Sequence, residues 1–184
     1  QGFKREWLRY WKPSDGSGMN KYMLVDPASE KKKDSDFTAI WVVGLNVDQN
    51  YYVLDIVRDR MNPTERVNRI FALHRKWRPY QVRYEKYGKD ADISHIQVMQ
   101  ERDNYRFDVV EVGGSVPKHD RIKRLIPLFE QNRVYLPDAH YITDYEGIAR
   151  EMVNTFVEEE YCAFPVPMHD DMLDSLARIA EPAD

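Results

Sequence analysis

The hydrophobic pattern changes its period along the chain. Three strand-like runs come first, Lys21 to Val25, Phe37 to Leu45 and Tyr51 to Val57, the last two joined across the turn-forming Asp48-Gln49-Asn50. Connections this short favour antiparallel neighbours. The spacing then becomes helical over Pro63 to Trp77, where Val67, Ile70, Phe71 and Leu73 recur on one face, with Asn62 as N-cap and Pro63 at the first helical position. From there strand-like and helical stretches alternate: Gln81 to Tyr84, Ala91 to Glu101, Phe107 to Val112, Pro117 to Gln131 and Arg133 to Leu136. Such alternation predicts parallel strands. Further helices are expected from about Thr143 to Glu159 and from about Asp170 to Ala180, either side of a loop holding Pro165 and Pro167. The expected architecture is an α/β fold around a mixed sheet, three antiparallel strands and then parallel ones, with helices on both faces.

Upstream, Phe3 to Trp11 reads as a short amphipathic helix, and Lys12-Pro13-Ser14-Asp15-Gly16-Ser17-Gly18 as a flexible linker. We therefore expect an arm over residues 1–18 and a domain over 19–184. The 184 residues suit one domain, and 42% hydrophobic with 12% aromatic residues is enough for a core. The single cysteine, Cys162, excludes an internal disulfide or a multi-cysteine metal site and fits a reducing compartment. The longest aliphatic run, Ala39 to Leu45, is far shorter than the roughly 20 apolar residues of a membrane span. The start, Gln1-Gly2-Phe3-Lys4-Arg5, lacks both the layout of a signal peptide and an initiator Met, as expected of an unsecreted fragment of a longer chain.

Lys and Arg total 27 against 31 Asp and Glu, a net charge of −4, so any phosphate-binding surface must be local. The acids carry the candidate chemistry. Asp26 ends the first strand in Tyr22-Met23-Leu24-Val25-Asp26-Pro27, and Glu85 holds the matching place after Gln81-Val82-Arg83-Tyr84. Read singly, each fits an ordinary turn residue or surface ion pair. The third group, His169-Asp170-Asp171-Met172-Leu173-Asp174-Ser175-Leu176-Ala177, holds more acid than helix capping requires. On a helical wheel Leu173, Leu176, Ala177 and Ala180 form the apolar face, Asp170 and Asp174 flank it, and Asp171 points further round. Carboxylates from three elements meeting at one sheet end repel unless a cation sits among them, and oxygen donors select hard ions such as Mg²⁺ or Mn²⁺. Two such ions suit phosphodiester hydrolysis.

Together with Ser35-Asp36-Phe37-Thr38-Ala39-Ile40, Tyr52-Val53-Leu54-Asp55, Arg58 to Met61, and Trp77-Arg78-Pro79 leading to Tyr84-Glu85, these motifs resemble the C-terminal nuclease domain of tailed-bacteriophage terminase large subunits. The resemblance runs from about Asn20 to the C-terminus and implies a ribonuclease H-like fold. It implies a metal-dependent endonuclease that cuts concatemeric double-stranded DNA in viral genome packaging, with two Mg²⁺ or Mn²⁺ ions. Asp26, Glu85 and Asp171 are then the catalytic metal ligands, with Asp170 the rival of Asp171. Many relatives carry Asp where Glu85 stands. Asp36, His169 and Asp174 become candidates for the surrounding shell. The implied partners are an ATPase domain in the same full-length chain, the portal protein and the small terminase subunit, in the host-cell cytoplasm during phage assembly. No Gly-x-x-x-x-Gly-Lys-Ser/Thr loop is present, so ATP hydrolysis is not expected of this chain. Lys118, Arg121 and Arg124 are expected to point outward from a helix toward DNA phosphates, with little sequence specificity. Lys31-Lys32-Lys33 is a second basic stretch. A Holliday-junction resolvase of the same fold and a non-catalytic docking module are the alternatives.

Overall fold

The computed structural model describes residues 2–27, 37–86 and 91–181. Asp36 and the Lys31-Lys32-Lys33 stretch lie outside the described residues. Among those described, β1 (Arg9–Trp11), β2 (Asn20–Asp26), β3 (Thr38–Leu45), β4 (Tyr51–Asp59), β5 (Gln81–Glu85), β6 (Val109–Val112) and β7 (Val134–Pro137) form a seven-stranded sheet. Its spatial order is β1-β7-β4-β3-β2-β5-β6. β2, β3 and β4 are antiparallel neighbours, while β2 with β5, β5 with β6, β4 with β7 and β1 with β7 run parallel. This is the mixed sheet expected from the sequence.

The central strand explains the layering. Successive side chains of a strand point to opposite faces. In β3, Ala39, Trp41 and Val43 enter one buried cluster, while Ile40 and Val42 enter the other. The second cluster lies under α1 (Pro63–Trp77) and α2 (Ala91–Arg102), through Val67, Ile70, Phe71, Ile96 and Met99. α1 begins with a full capping box: Glu65 N donates to Asn62 Oδ1 and Asn62 N donates to Glu65 Oε1, with Pro63 at its start.

The first cluster lies under the elements of the C-terminal half: α3 (Lys118–Lys123), α4 (Ile126–Glu130), α5 (Met152–Phe156), the π turn Val157–Tyr161 and α6 (Asp171–Ala177). Trp41 Nε1 donates to Met172 O at 2.8 Å, tying α6 to the sheet centre. Among the described residues no helix is long and apolar enough to cross a membrane.

Three local expectations are corrected. The helix expected over Pro117 to Gln131 is two helices, α3 and α4, because Pro127 has no N–H to continue the ladder. The helix expected from Thr143 begins only at Met152. Before it, β8 (Tyr141–Thr143) and β9 (Ala149–Glu151) form a hairpin whose turn has Gly147 at φ 78° and Asp144 Oδ1 accepting from Glu146 N and Ile148 N. The segment read as a helical arm is a short 3₁₀ turn, Arg5–Trp7, followed by β1, which pairs with β7 while Phe3 and Leu8 enter the core.

Candidate metal centre

Strand alternation aims the first two acids. On β2, Met23 and Val25 face α1, so Leu24 and Asp26 face α6; on β5, Val82 and Tyr84 face α1, so Arg83 and Glu85 face α6. The parallel register pairs Val25 with Tyr84, and one further step sets Asp26 beside Glu85 at the sheet's end. β5 is anchored from its other side, where Tyr84 OH donates to Asp92 Oδ2 and Arg66 Nε donates to the same oxygen at 2.6 Å.

α6 supplies the third acid. Asp26, Glu85 and Asp174 each offer a carboxylate oxygen within 4.8 Å of the others, and all three are buried. Among the described residues this is a group that could hold a metal ion. Asp171 is not in it. The family resemblance implies Asp171 as the third ligand, with Asp170 its rival and Asp174 in the surrounding shell. A wheel with one apolar face misses the observed geometry because Met172 to Ala177 are buried all round, so Asp174 and Arg178, one turn apart, line the stripe that meets β2 and β5. Asp171, the first residue of α6, is half-buried outside the cluster.

Two arginines balance the acids. Arg178, 1% exposed, forks Glu85 with Nη2 to Oε1 at 2.7 Å and Nε to Oε2 at 3.4 Å, and its Nη1 meets Glu181. Arg121 reaches in from α3, with Nη2 at 2.7 Å from Asp174 Oδ1 and 3.5 Å from Glu85 Oε1. The outward orientation expected for Arg121 is therefore corrected: its side chain is only 11% exposed, drawn inward by the two carboxylates. Burial first, then the nearby Asp174, hold the Glu85 carboxyl above the usual carboxylate range despite Arg178 and Arg121. Asp174 Oδ2 is buried and, among the described residues, has no hydrogen-bond partner. A buried carboxylate oxygen without a described donor, on a side chain grouped with two more carboxylates, fits a hard divalent cation.

Lys118 Nζ lies 3.3 Å from Asp170 Oδ1, and Asp170, Asp174 and Asp26 together hold the ammonium above the usual lysine range against the effect of burial. Arg124 is exposed. His169 packs edge-to-face on Phe37 with ring centroids 5.1 Å apart, and burial, then Arg58, lowers its pKa.

Helix capping does not account for these acids. Asp170 makes no side-chain cap hydrogen bond; Glu160 caps α6 instead, its Oε1 accepting from Met172 N and Leu173 N, both at 2.9 Å. Glu160 belongs to the π turn, and within Glu158-Glu159-Glu160 nothing local marks it as the buried member. The widened turn brings it under α6. Burial, with Asp171 and Asp170, pushes its carboxyl up to about 8, against Leu173 N–H and Arg58. An acid raised in the folded state stabilises fully below its unfolded pKa and loses that contribution as pH rises through the folded value. Stability is therefore expected to fall by a few kcal/mol between about pH 4.5 and 8. Urea unfolding across this range should show Glu160→Gln, which keeps the Oε1 acceptor, flattening the fall; an unchanged slope would exclude Glu160 as its source.

The family described as the terminase RNaseH-like domain matches residues 23–180. Among curated proteins no sequence match is found. Solved structures share the fold. The large terminase nuclease from thermophilic phage G20c with bound magnesium superposes with a TM-score of 0.58 at 16% identity, covering 95% of this chain and 93% of that one. With bound cobalt the same nuclease gives 0.59, again at 16% identity and the same coverage. The human cytomegalovirus terminase nuclease domain, Mn soaked and inhibitor bound, gives 0.61 at 12% identity, covering 97% and 92%. From the alternating sheet to the acids at its end, this chain belongs to the terminase RNaseH-like domain family.

Proposed function

We propose that this domain is a divalent-metal-dependent endodeoxyribonuclease that cuts concatemeric double-stranded DNA during viral genome packaging. The observation that carries the reading is the buried Asp26–Glu85–Asp174 group at the end of a terminase-type sheet. Asp26, Glu85 and Asp174 would hold Mg²⁺ or Mn²⁺, with Asp170, paired with Lys118, offered for a second ion. Metal-bound relatives support this choice: structures of the G20c nuclease carry magnesium or cobalt, and the cytomegalovirus domain was soaked with manganese. When bound, a pair of such ions activates water and stabilises the leaving oxygen of a phosphodiester.

The chain's own residues hold the acids in place. Arg178 fixes the Glu85 carboxylate, Glu160 fixes the start of α6, and the β2–β5 register fixes Asp26 beside Glu85. Lys118 lies at the open rim, where a DNA phosphate can approach, and the exposed Arg124 lies on the same segment. These contacts go to backbone charge, so little sequence preference is proposed. In its biological setting the domain would work with an ATPase domain of the same full-length chain, the portal protein and the small subunit, in the host-cell cytoplasm.

The test is nicking and linearisation of supercoiled plasmid with Mn²⁺, Mg²⁺ or chelator. Cleavage is expected with either metal and not with chelator. A folded protein that leaves the plasmid intact in both metals, or that cuts equally well in chelator, would overturn the reading. A strong preference for four-way junctions over linear duplex would point to a resolvase instead.

A further inference from the structure

We propose that Arg121 is an exchangeable counter-ion of the acidic cluster: a divalent cation displaces it from Asp174 and Glu85, and the released guanidinium then positions the DNA phosphate. This rests on the metal-centre reading above and adds a role for a residue of α3.

The two arginines of the cluster are held very differently. Arg178 is locked: its side chain is 2% exposed, it forks Glu85, it meets Glu181, and its carbonyl accepts from Arg83 Nη1 at 2.5 Å. Arg121 comes from a six-residue helix on the open side, next to the exposed Lys118. Its Nη2 serves both carboxylates, its Nη1 donates to Val116 O at 2.8 Å, and its buried Nε finds no acceptor among the described residues. The oxygens it holds, Asp174 Oδ1 and Glu85 Oε1, belong to the same carboxylates that face Asp26. A metal ion and a guanidinium competing for these oxygens repel each other, so the one with the weaker tether leaves. That one is Arg121.

Its destination follows from charge and reach. A displaced Arg121 remains on α3 beside the cluster, and a guanidinium presents paired donors that match two phosphate oxygens. Lys118, on the same helix one turn earlier and paired with Asp170, offers a second cation at the same rim. The same residue thus keeps Asp174 and Glu85 together before metal entry and serves the substrate afterwards.

The experiment is a calorimetric Mn²⁺ titration of the folded domain without DNA, comparing wild type, Arg121→Gln and Arg121→Lys, with plasmid cleavage at saturating Mn²⁺ alongside. Removing the competitor should tighten Mn²⁺ binding, by about tenfold in Arg121→Gln and less in Arg121→Lys, while cleavage at saturating metal falls by about tenfold or more. Thermal unfolding identifies folded variants, and Arg121→Lys carries the test alone if Arg121→Gln does not fold. Tighter binding with weaker cleavage supports the exchange. Unchanged or weaker Mn²⁺ binding in a folded variant, or undiminished cleavage at saturating metal, overturns it while leaving the nuclease reading intact. Wild-type protein that binds no Mn²⁺ overturns both.

Discussion

Asp26→Asn and Asp174→Asn should each lower metal-dependent plasmid cleavage by at least about a hundredfold, with the fold intact. Each substitution keeps the size of the side chain and removes a charge from a cluster in which three carboxylates lie within 4.8 Å of one another. Less repulsion remains, so thermal unfolding of Asp26→Asn without metal should stay the same or rise slightly, while Asp174→Asn, which also weakens the Arg121 pair, should fall modestly and stay folded. Loss of activity with retained stability distinguishes a metal ligand from a structural acid. Asp170→Asn should have an intermediate effect, because Asp170 stands at the rim on Lys118. Asp171→Asn should stay within a few-fold of wild type, since Asp171 lies outside the cluster and Glu160 already caps its helix. A folded Asp174→Asn that cuts normally beside an inactive Asp171→Asn would move the third ligand to Asp171.

Arg178→Met is expected to cost about 3–5 kcal/mol in urea unfolding, because it leaves Glu85 buried without its main partner. The side chains of Arg178 and Glu85 are 2% and 5% exposed, so water does not take over the lost contact. Glu85 also stays close to Asp174, with Arg121, at 3.5 Å, left to offset it. Adding Glu85→Gln should recover much of the loss, since the stranded charge is then gone. A cost below about 1 kcal/mol for the single variant, or no recovery in the double, would mean that Arg178 does not hold Glu85 in this way.

The sequence carried the strand order well because β3 and its neighbours are packed on both faces, and their apolar runs stand clear of polar turns. Asn62 and Pro63 announced α1 because capping is local chemistry. Asp26 and Glu85 could be aligned because each ends an apolar strand, and parallel neighbours put those ends side by side. What escaped was set by contacts far apart in the chain. Asp174 looked peripheral until α3 and the π turn enclosed α6. Arg121 looked outward-facing because its inward partners, Glu85 and Asp174, lie 36 and 53 residues away. Glu160 was hidden among three consecutive glutamates, and no motif singled out Arg178 near the end of its helix. The β8–β9 hairpin was missed because its strands have three residues each, too few for a period-2 signal.

The placement of the ions decides most directly between the acids of α6. Anomalous diffraction from Mn²⁺-soaked crystals of this domain should place manganese within about 2.0–2.6 Å of oxygens from Asp26, Glu85 and Asp174, with Arg178 still on Glu85. Manganese held by Asp170 and Asp171 with Asp174 left out, or absent from this end of the sheet, would contradict the proposed centre.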